Sequence, residues 1–261
     1  MEATVGSLLR EWRSRRRLSQ LELALEAEVS TRHLSFVETG RAQPSRDMVV
    51  RLAERLDVPL RETNHLLLAA GYAPAYPDHG TEDGAVRAAL RHVLAGYEPY
   101  PALVVDRHWE MLDANAGVGL LLEGVPAEQL APPVNALRLA LHPEGLAPKI
   151  LNLGEWRAHI LARLRRQVAS THDPQLASLL TELRSYPGDE VELHAPDEII
   201  VPLRIERDGD ELRFMSIVTT FGTPLDAGLQ DLSVEAFLPA DEATSTLLSK
   251  WRSRSSSRSA Q

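Results

Sequence analysis

Residues 19–45 read SQLELALEAEVSTRHLSFVETGRAQPS and decide the fold of the N-terminal part of the chain. The pattern predicts two short helices joined by a tight turn. Ser19 and Glu22 form a capping box, in which each side chain accepts a hydrogen bond from the other residue's backbone N–H. Ser30 is a good N-cap for the second of these helices, and Gly40 ends it. Such a unit is too small to enclose an active site, but its second helix can enter a DNA major groove.

The second of these helices has an apolar face and a polar face. Leu34 and Val37 are three residues apart and therefore point into the core. Phe36 has two open interpretations: it packs against the preceding helix, or it touches a thymine methyl group. The outer face near the N-terminus carries the predicted base-reading and phosphate-neighbouring residues Thr31, Arg32, His33 and Phe36.

A run of arginines on the first predicted helix adds positive charge beside this unit. Arg10, Arg15, Arg16 and Arg17 form either a solvated face or a set of contacts to the phosphate backbone. Residues 1–71 hold 11 Arg against 10 Asp and Glu, which gives a charge of only +1. The rest of the chain has a charge of −10, so the net charge is −9. Because one weakly basic unit gathers few phosphate contacts, we expect a homodimer on a two-fold DNA operator.

Across about residues 6–71 the pattern resembles the Cro/repressor-type (XRE-like) helix-turn-helix family. The resemblance implies an ion pair between Arg13 and Glu38, and a contact to DNA from Gln20. Arg41 is expected to contact phosphate because of its place beside the recognition helix. The sequence departs from the family pattern at Glu28, where the family usually has Gly in the turn. The matching residues are Gln20, Leu23, Ala24, Val29, Ser30, Leu34, Glu38, Gly40, Pro44 and Leu52.

Composition narrows the class of protein further. The chain has 261 residues, 44% of them hydrophobic, which is enough for two domains with their own cores. It has no Cys, so disulfides and thiolate metal sites are excluded. The N-terminus lacks a signal-peptide pattern and no apolar run approaches the length of a membrane span. We therefore expect a cytoplasmic protein with no membrane insertion.

The remainder of the chain predicts a linker and a second domain that mixes helices and strands. Residues 72–84 hold prolines and glycines and predict the linker, which separates a helix-turn-helix domain (1–71) from the second domain (85–251). The final Arg/Ser-rich residues, 252–261, predict a disordered tail. Strands are expected near 100–106, 109–113 and 234–238, with a hairpin over 199–220 whose turn carries Asp208-Gly209. Helices are expected near 85–95, 114–122, 155–169, 174–184 and 241–251.

This order of elements resembles a PAS-like sensor and, over residues 98–250, the MmyB-like ligand-binding domain that follows such a helix-turn-helix in many bacterial regulators. What the resemblance implies is an apolar pocket suited to a fatty-acyl or similar small ligand. The fold class is therefore an all-α helix-turn-helix domain of five helices followed by an α+β PAS-like domain. The segments that carry the resemblance are 101–106 with Trp109, 114–116, 135–138, 219–226 and 237–241.

Candidate ligand contacts in this domain are few. Trp109, Phe214 and Phe221 are either core residues or pocket lining, and Arg138 is either an anchor for a carboxylate or part of a surface salt bridge. No metal-binding helix, nucleophile elbow or nucleotide loop appears in the sequence, so we expect no catalytic residues, no metal and no cofactor.

These observations predict a sequence-specific DNA-binding transcription regulator, not an enzyme, that is modulated by a small apolar ligand. Two alternatives stay open at this point. One is a PAS-type sensor that carries haem or flavin, and the other is a DNA-binding domain fused to an enzyme.

Overall fold

The computed structural model describes residues 4–79, 83–188, 200–221 and 226–258. Parts of the predicted linker (80–82), of the hairpin (199) and of the 219–226 motif (222–225) lie outside the described residues. By their contacts, the residues form two compact units. The first contains residues up to Val86 together with 221–231, and the second contains Arg87–Thr220 and the residues from Leu232 onward.

The first unit contains the five predicted helices, and the first four begin at a Ser or Thr whose side chain accepts a backbone N–H. The Ser19–Glu22 capping box is present in both directions, and Ser30 Oγ accepts from the His33 N–H at 3.2 Å. Leu34 and Val37 are almost completely buried, as predicted. The helices are α1 (Val5–Arg15), α2 (Gln20–Glu26), α3 (Thr31–Glu38), α4 (Arg46–Arg55) and α5 (Leu60–Ala69).

The turn between α2 and α3 is strained at the residue that departs from the family pattern. Glu28 has φ of 55°, which lies in the left-handed region. A residue with a Cβ pays roughly 1–2 kcal/mol for this conformation. Glu28 adopts this conformation even though it is not Gly. The buried core around Leu23, Ala27 and Leu34 holds the helix pair in place and offsets the cost.

The second unit is a five-stranded antiparallel sheet covered by helices, which confirms the predicted α+β class. The strand order is β2-β1-β5-β4-β3, so the last strand lies at the centre of the sheet. The strands are β1 (Ala102–Val105), β2 (Met111–Ala114), β3 (Leu203–Arg207), β4 (Asp210–Thr220) and β5 (Ser233–Pro239). Asp208 and Gly209 both have positive φ at the β3–β4 turn, as an Asp-Gly hairpin requires.

Helices of the second unit cover the sheet and close its core. Their bounds are α6 (Gly84–Gly96), α7 (Val118–Leu122), α8 (Ala136–Leu141), α9 (Leu153–Thr171), α10 (Pro174–Ser185) and α12 (Glu242–Arg258), and a short helix, α11 (Ala227–Gln230), lies in the segment assigned to the first unit. Two 3-10 turns span Ala127–Leu130 and Ala147–Lys149.

Two of these helices differ from the sequence prediction. α7 begins at Val118, not at Ala114, because the Asn115 side chain accepts from the Ala102 N–H and donates to Tyr100 O, which fixes the start of β1. α12 continues to Arg258 through residues predicted as a disordered tail.

Candidate DNA-binding and ligand-binding sites

A partly buried ion pair joins α1 to the end of α3. Arg13 Nε donates to Glu38 Oε1 at 2.6 Å, and Arg13 Nη2 donates to Glu38 Oε2 at 2.9 Å. The third donor, Nη1, reaches Leu18 O at 2.8 Å. The side chains of Arg13 and Glu38 are 13% and 1% exposed. The pair that the resemblance implied is therefore present, and it joins α1 to the last residue of α3.

Gln20 belongs to the same cluster. Its Nε2 donates to Glu38 Oε2 at 2.7 Å, so the amide nitrogen predicted to reach DNA is engaged within the unit. Burial alone would raise the pKa of Glu38, but the hydrogen bonds from Arg13 and Gln20 and the charge of Arg13 outweigh it and lower the pKa. Glu38, the last residue of α3, is thus held in its ionised form.

The N-terminal half of α3 presents polar side chains to solvent. Arg32 and His33 are exposed, and Thr31 and Phe36 are half-buried. The Arg32 guanidinium lies over the Phe36 ring, 5.4 Å from its centroid, so these two predicted DNA-contact residues touch one another. Arg41 is exposed just beyond Gly40, whose φ of 72° ends the helix. An exposed, partly polar N-terminal half is what a recognition helix presents to DNA.

Two arginines of the basic run on α1 serve the unit itself. Arg16 donates to Leu56 O and to Asp57 O at 2.7 Å each, which satisfies carbonyl groups at the end of α4. Arg15 pairs with Glu11 and lies over the Trp12 ring. Both side chains therefore have structural partners within the described residues, in addition to the charge that they bring to the surface.

The second unit holds a small apolar cavity between the sheet and its covering helices. Its volume is about 50 Å³. β1, β2, β3 and β5 contribute lining residues from the sheet, and α7, α8 and α9 contribute lining residues from the helices. Hydrocarbon side chains supply almost all of the lining, notably Leu103, Met111, Leu137, Leu139, Ile150, Trp156, Ile160 and Phe237.

One charged residue lines this cavity. Glu235 lies on β5 among apolar neighbours, and its side chain is 6% exposed. Arg163 of α9 donates to both of its oxygens, at 3.0 and 3.3 Å, and Ser216 Oγ donates to Oε1 at 2.6 Å. The Arg163 guanidinium also lies 4.0 Å from the centroid of the Trp109 ring, while its Nε has no hydrogen-bond partner among the described residues. A polar cluster thus borders an otherwise apolar space.

Sequence reasoning missed Glu235 and Arg163. The signal available was a lone carboxylate in the apolar run Val234–Leu238, where an unpaired charge would be costly. Its partner lies 72 positions away and follows only from the three-dimensional structure.

The four predicted ligand contacts lie outside the lining of the apolar cavity. Trp109 and Phe214 are buried core residues, 7% and 0% exposed, and Trp109 Nε1 donates to Gln167. Arg138 forms a two-pronged ion pair with Glu182 at 2.6 and 2.8 Å, which is the salt-bridge alternative. Phe221 follows β4 and belongs by its contacts to the first unit. Trp109, Phe214 and Arg138 therefore have structural roles of their own in the second unit.

Within the described ranges, no group of His, Asp and Glu side chains has the geometry to hold a metal ion. In the same part of the chain, no helix has both the length and the apolar character needed to cross a membrane.

Comparison with protein families assigns both units. Residues 4–66 match the model of a helix-turn-helix domain, and residues 86–250 match that of the MmyB-like transcription regulator ligand binding domain. No match was found among curated proteins. The second match covers more than half of the chain, and it follows a helical unit whose α3 is presented as a recognition helix. The chain belongs to the family of MmyB-like transcription regulators and combines a helix-turn-helix DNA-binding domain with the ligand-binding domain of that family.

Proposed function

We propose that the protein binds a specific two-fold DNA operator as a homodimer and that a small apolar ligand modulates this binding. What carries the proposal is the exposed N-terminal half of α3, with Arg32 at its surface and the Arg13–Glu38 pair at its base. A guanidinium on a rigid helix can bind the two acceptors of a guanine in the major groove. The proposed contact surface also includes Thr31, His33, Phe36 and Arg41. Gln20 supports this surface through its hydrogen bond to Glu38 at the end of α3.

The proposed ligand site is the apolar cavity of the second unit. Its lining of leucine, isoleucine, methionine and aromatic side chains suits a fatty-acyl chain. The volume of about 50 Å³ is far below the roughly 300–1,000 Å³ of pockets that hold drug-sized ligands. The ligand must therefore displace side chains and select an expanded conformation of the domain. A ligand that binds two conformations unequally shifts their populations, which is the requirement for regulation.

The polar end of the ligand is assigned to the Glu235 cluster. Among the described residues, Arg163 Nε is a buried donor with no hydrogen-bond acceptor, and such a group is stabilised when it meets one. We expect the acyl chain to lie among the leucines and its oxygen to approach Arg163.

The ligand prediction concerns chain length. Because each buried CH₂ contributes about 0.8 kcal/mol, fatty acids of increasing length should raise the melting temperature of the second unit progressively. Scanning calorimetry measures this effect, and fluorescence anisotropy with operator DNA measures the accompanying change in affinity. Coupling of about 1–3 kcal/mol corresponds to a change of roughly 5- to 150-fold.

Matched variants locate the ligand. Ala140 lines the cavity on α8, whereas Ala169 is exposed on α9. Ala140→Leu should abolish stabilisation by the longer acids, and Ala169→Leu should leave it unchanged. Equal responses of the two variants, absence of stabilisation by every acid, or turnover of an acid into product would contradict the assignment. Visible absorption from haem or flavin in the purified protein would favour the cofactor-bearing alternative.

The operator prediction concerns symmetry. A unit with a charge of only +1 gains affinity when a second copy doubles its phosphate contacts. Footprinting should therefore show two protected half-sites with inverted sequence, about one helical turn apart. A single protected half-site occupied by one copy of the chain would contradict the prediction.

A further inference from the structure

The fifth helix of the DNA-binding unit lacks a cap of its own. α1, α2, α3 and α4 each begin at a Ser or Thr whose side chain accepts a backbone N–H. α5 begins after Pro59, whose side chain offers no acceptor. Because first-turn N–H groups have no partner inside a helix, α5 needs an acceptor from elsewhere.

A residue 170 positions away supplies this acceptor. The Leu60 N–H donates to Gln230 Oε1 at 2.6 Å. The next residue of the segment, Asp231, accepts from Arg61 Nε at 2.9 Å, and Arg61 also pairs with Asp78. A carboxylate at this end of a helix is further favoured by the helix dipole. The first turn of α5 is thus held by two side chains from the segment between β4 and β5.

The other end of this segment is also held in the first unit. The Ala227 N–H donates to Pro77 O at 2.7 Å. Asp226 Oδ2 lies 2.6 Å from His79 Nδ1 and accepts from the His79 N–H at 3.2 Å. Gly228 approaches so closely that a Cβ there would lie 2.1 Å from His79 O. Residues 226–231 therefore form a fitted contact with α5 and with the chain that follows it.

The same segment connects β4 to β5, and β5 contributes residues to the lining of the apolar cavity. β4 ends at Thr220 and β5 begins at Ser233, and these two residues are partners in the sheet. Glu235 and Phe237, a short distance along β5, line the apolar cavity. By its contacts the connection belongs to the first unit, whereas both strands belong to the second. Only Leu232 separates this segment from the first residue of β5, so the two are directly joined along the chain.

We propose that residues 226–231 act as a remote cap of α5 and report the state of the β4–β5 strand pair to the DNA-binding unit. α5 packs against α1, and α1 packs against α3 and binds it through Arg13 and Glu38. Release of the cap loosens the first turn of α5 and, through α1, the seat of the recognition helix. The segment 226–231 then has two states, one in which it caps α5 and one in which it is released from α5. Regulation requires such a pair of states. The role of this element in regulation rests on the proposed function, but its existence does not.

The test is hydrogen exchange of the full chain without DNA or added ligand. Gln230→Ala should lower the protection of the α5 first-turn amides, Leu60 and Thr63, by at least about five-fold, the low end of common coupling effects. Asp226→Asn weakens the other anchor and should act in the same direction. Gln175→Ala, an exposed site on α10, is the matched control and should change nothing. Unchanged exchange in α5 of both cap variants would overturn the remote cap.

Transmission is tested by a change in the cavity wall. Phe237→Ala loosens β5 and should raise exchange at Leu60 in the otherwise native chain, but add nothing in the Gln230→Ala background. If β5 exchanges faster while α5 is unaffected, the segment is a cap but not a reporter, and the coupling is overturned. Because neither DNA nor ligand enters this measurement, its failure is distinguishable from the failure of the proposed regulatory function.

Discussion

Replacing Arg13 with Ala should lower the free energy of unfolding of the DNA-binding unit by about 3–5 kcal/mol, the usual effect of stranding one member of a buried pair. Glu38, with a side chain that is 1% exposed, would keep its charge and lose both guanidinium hydrogen bonds. Glu38→Ala should cost a similar amount, since Arg13 would retain only Leu18 O as a partner in this cluster.

A double-mutant cycle measures the interaction. The Arg13→Ala/Glu38→Ala variant should lose much less stability than the sum of the two single variants, because no buried charge is left alone. Urea unfolding followed by circular dichroism gives the three free energies. The exposed i,i+4 pair Glu11–Arg15 provides the matched control, with an expected coupling of only about 0.3–0.5 kcal/mol. Additive losses at Arg13 and Glu38 would show that the pair does not hold α3.

The same pair sets a pH dependence. The pKa of Glu38 is lower in the folded protein than its ordinary value of 4.5. Its contribution to stability is therefore fully present above pH 4.5 and is lost as the pH falls through the folded pKa. Within the first unit, Glu38→Gln should flatten the stability profile in this acid range.

Replacing Arg32 with Ala should weaken binding to the operator by about 1–3 kcal/mol, or roughly 5- to 150-fold, and relax specificity at one base pair. Arg32 is exposed on α3, and its guanidinium is oriented by the Phe36 ring. Arg32→Lys keeps the charge but loses the planar two-pronged donor, so it should restore affinity for arbitrary DNA more than specificity.

Arg55→Ala is the control for charge alone. Arg55 is exposed in the last turn of α4 and is not one of the predicted base-reading residues. Its removal should lower affinity for operator and scrambled DNA by the same factor. If Arg32→Ala also lowers both affinities equally, Arg32 contacts phosphate and another residue reads the bases.

Features that depend on residues close in sequence were predictable. The Ser19–Glu22 capping box, the Ser30 cap and the burial of Leu34 and Val37 follow from spacings of three or four residues. The Asp-Gly hairpin turn is equally local. The Arg13–Glu38 pair spans 25 positions and was accessible only through family resemblance.

Features that depend on distant residues were not predictable from spacing. Nothing near Pro59 indicates that Gln230 caps α5, and nothing near Glu235 indicates Arg163 as its partner. The family resemblance implies a DNA contact from Gln20, and only the structure shows that its amide nitrogen donates to Glu38. The apolar cavity is lined by ordinary core residues, so the composition of each element gives no sign of it.

The most direct test of the central claim, that α3 reads a DNA sequence, is affinity for a selected duplex relative to its scrambled counterpart at one fixed salt concentration. The duplex is first selected from a random-sequence pool with the full chain. The selected two-fold sequence should bind at least about 10³-fold more tightly than the scrambled one, which is the lower range for specific DNA-binding proteins. Equal affinities, with the same dependence on salt, would show charge attraction without sequence recognition and would contradict the account.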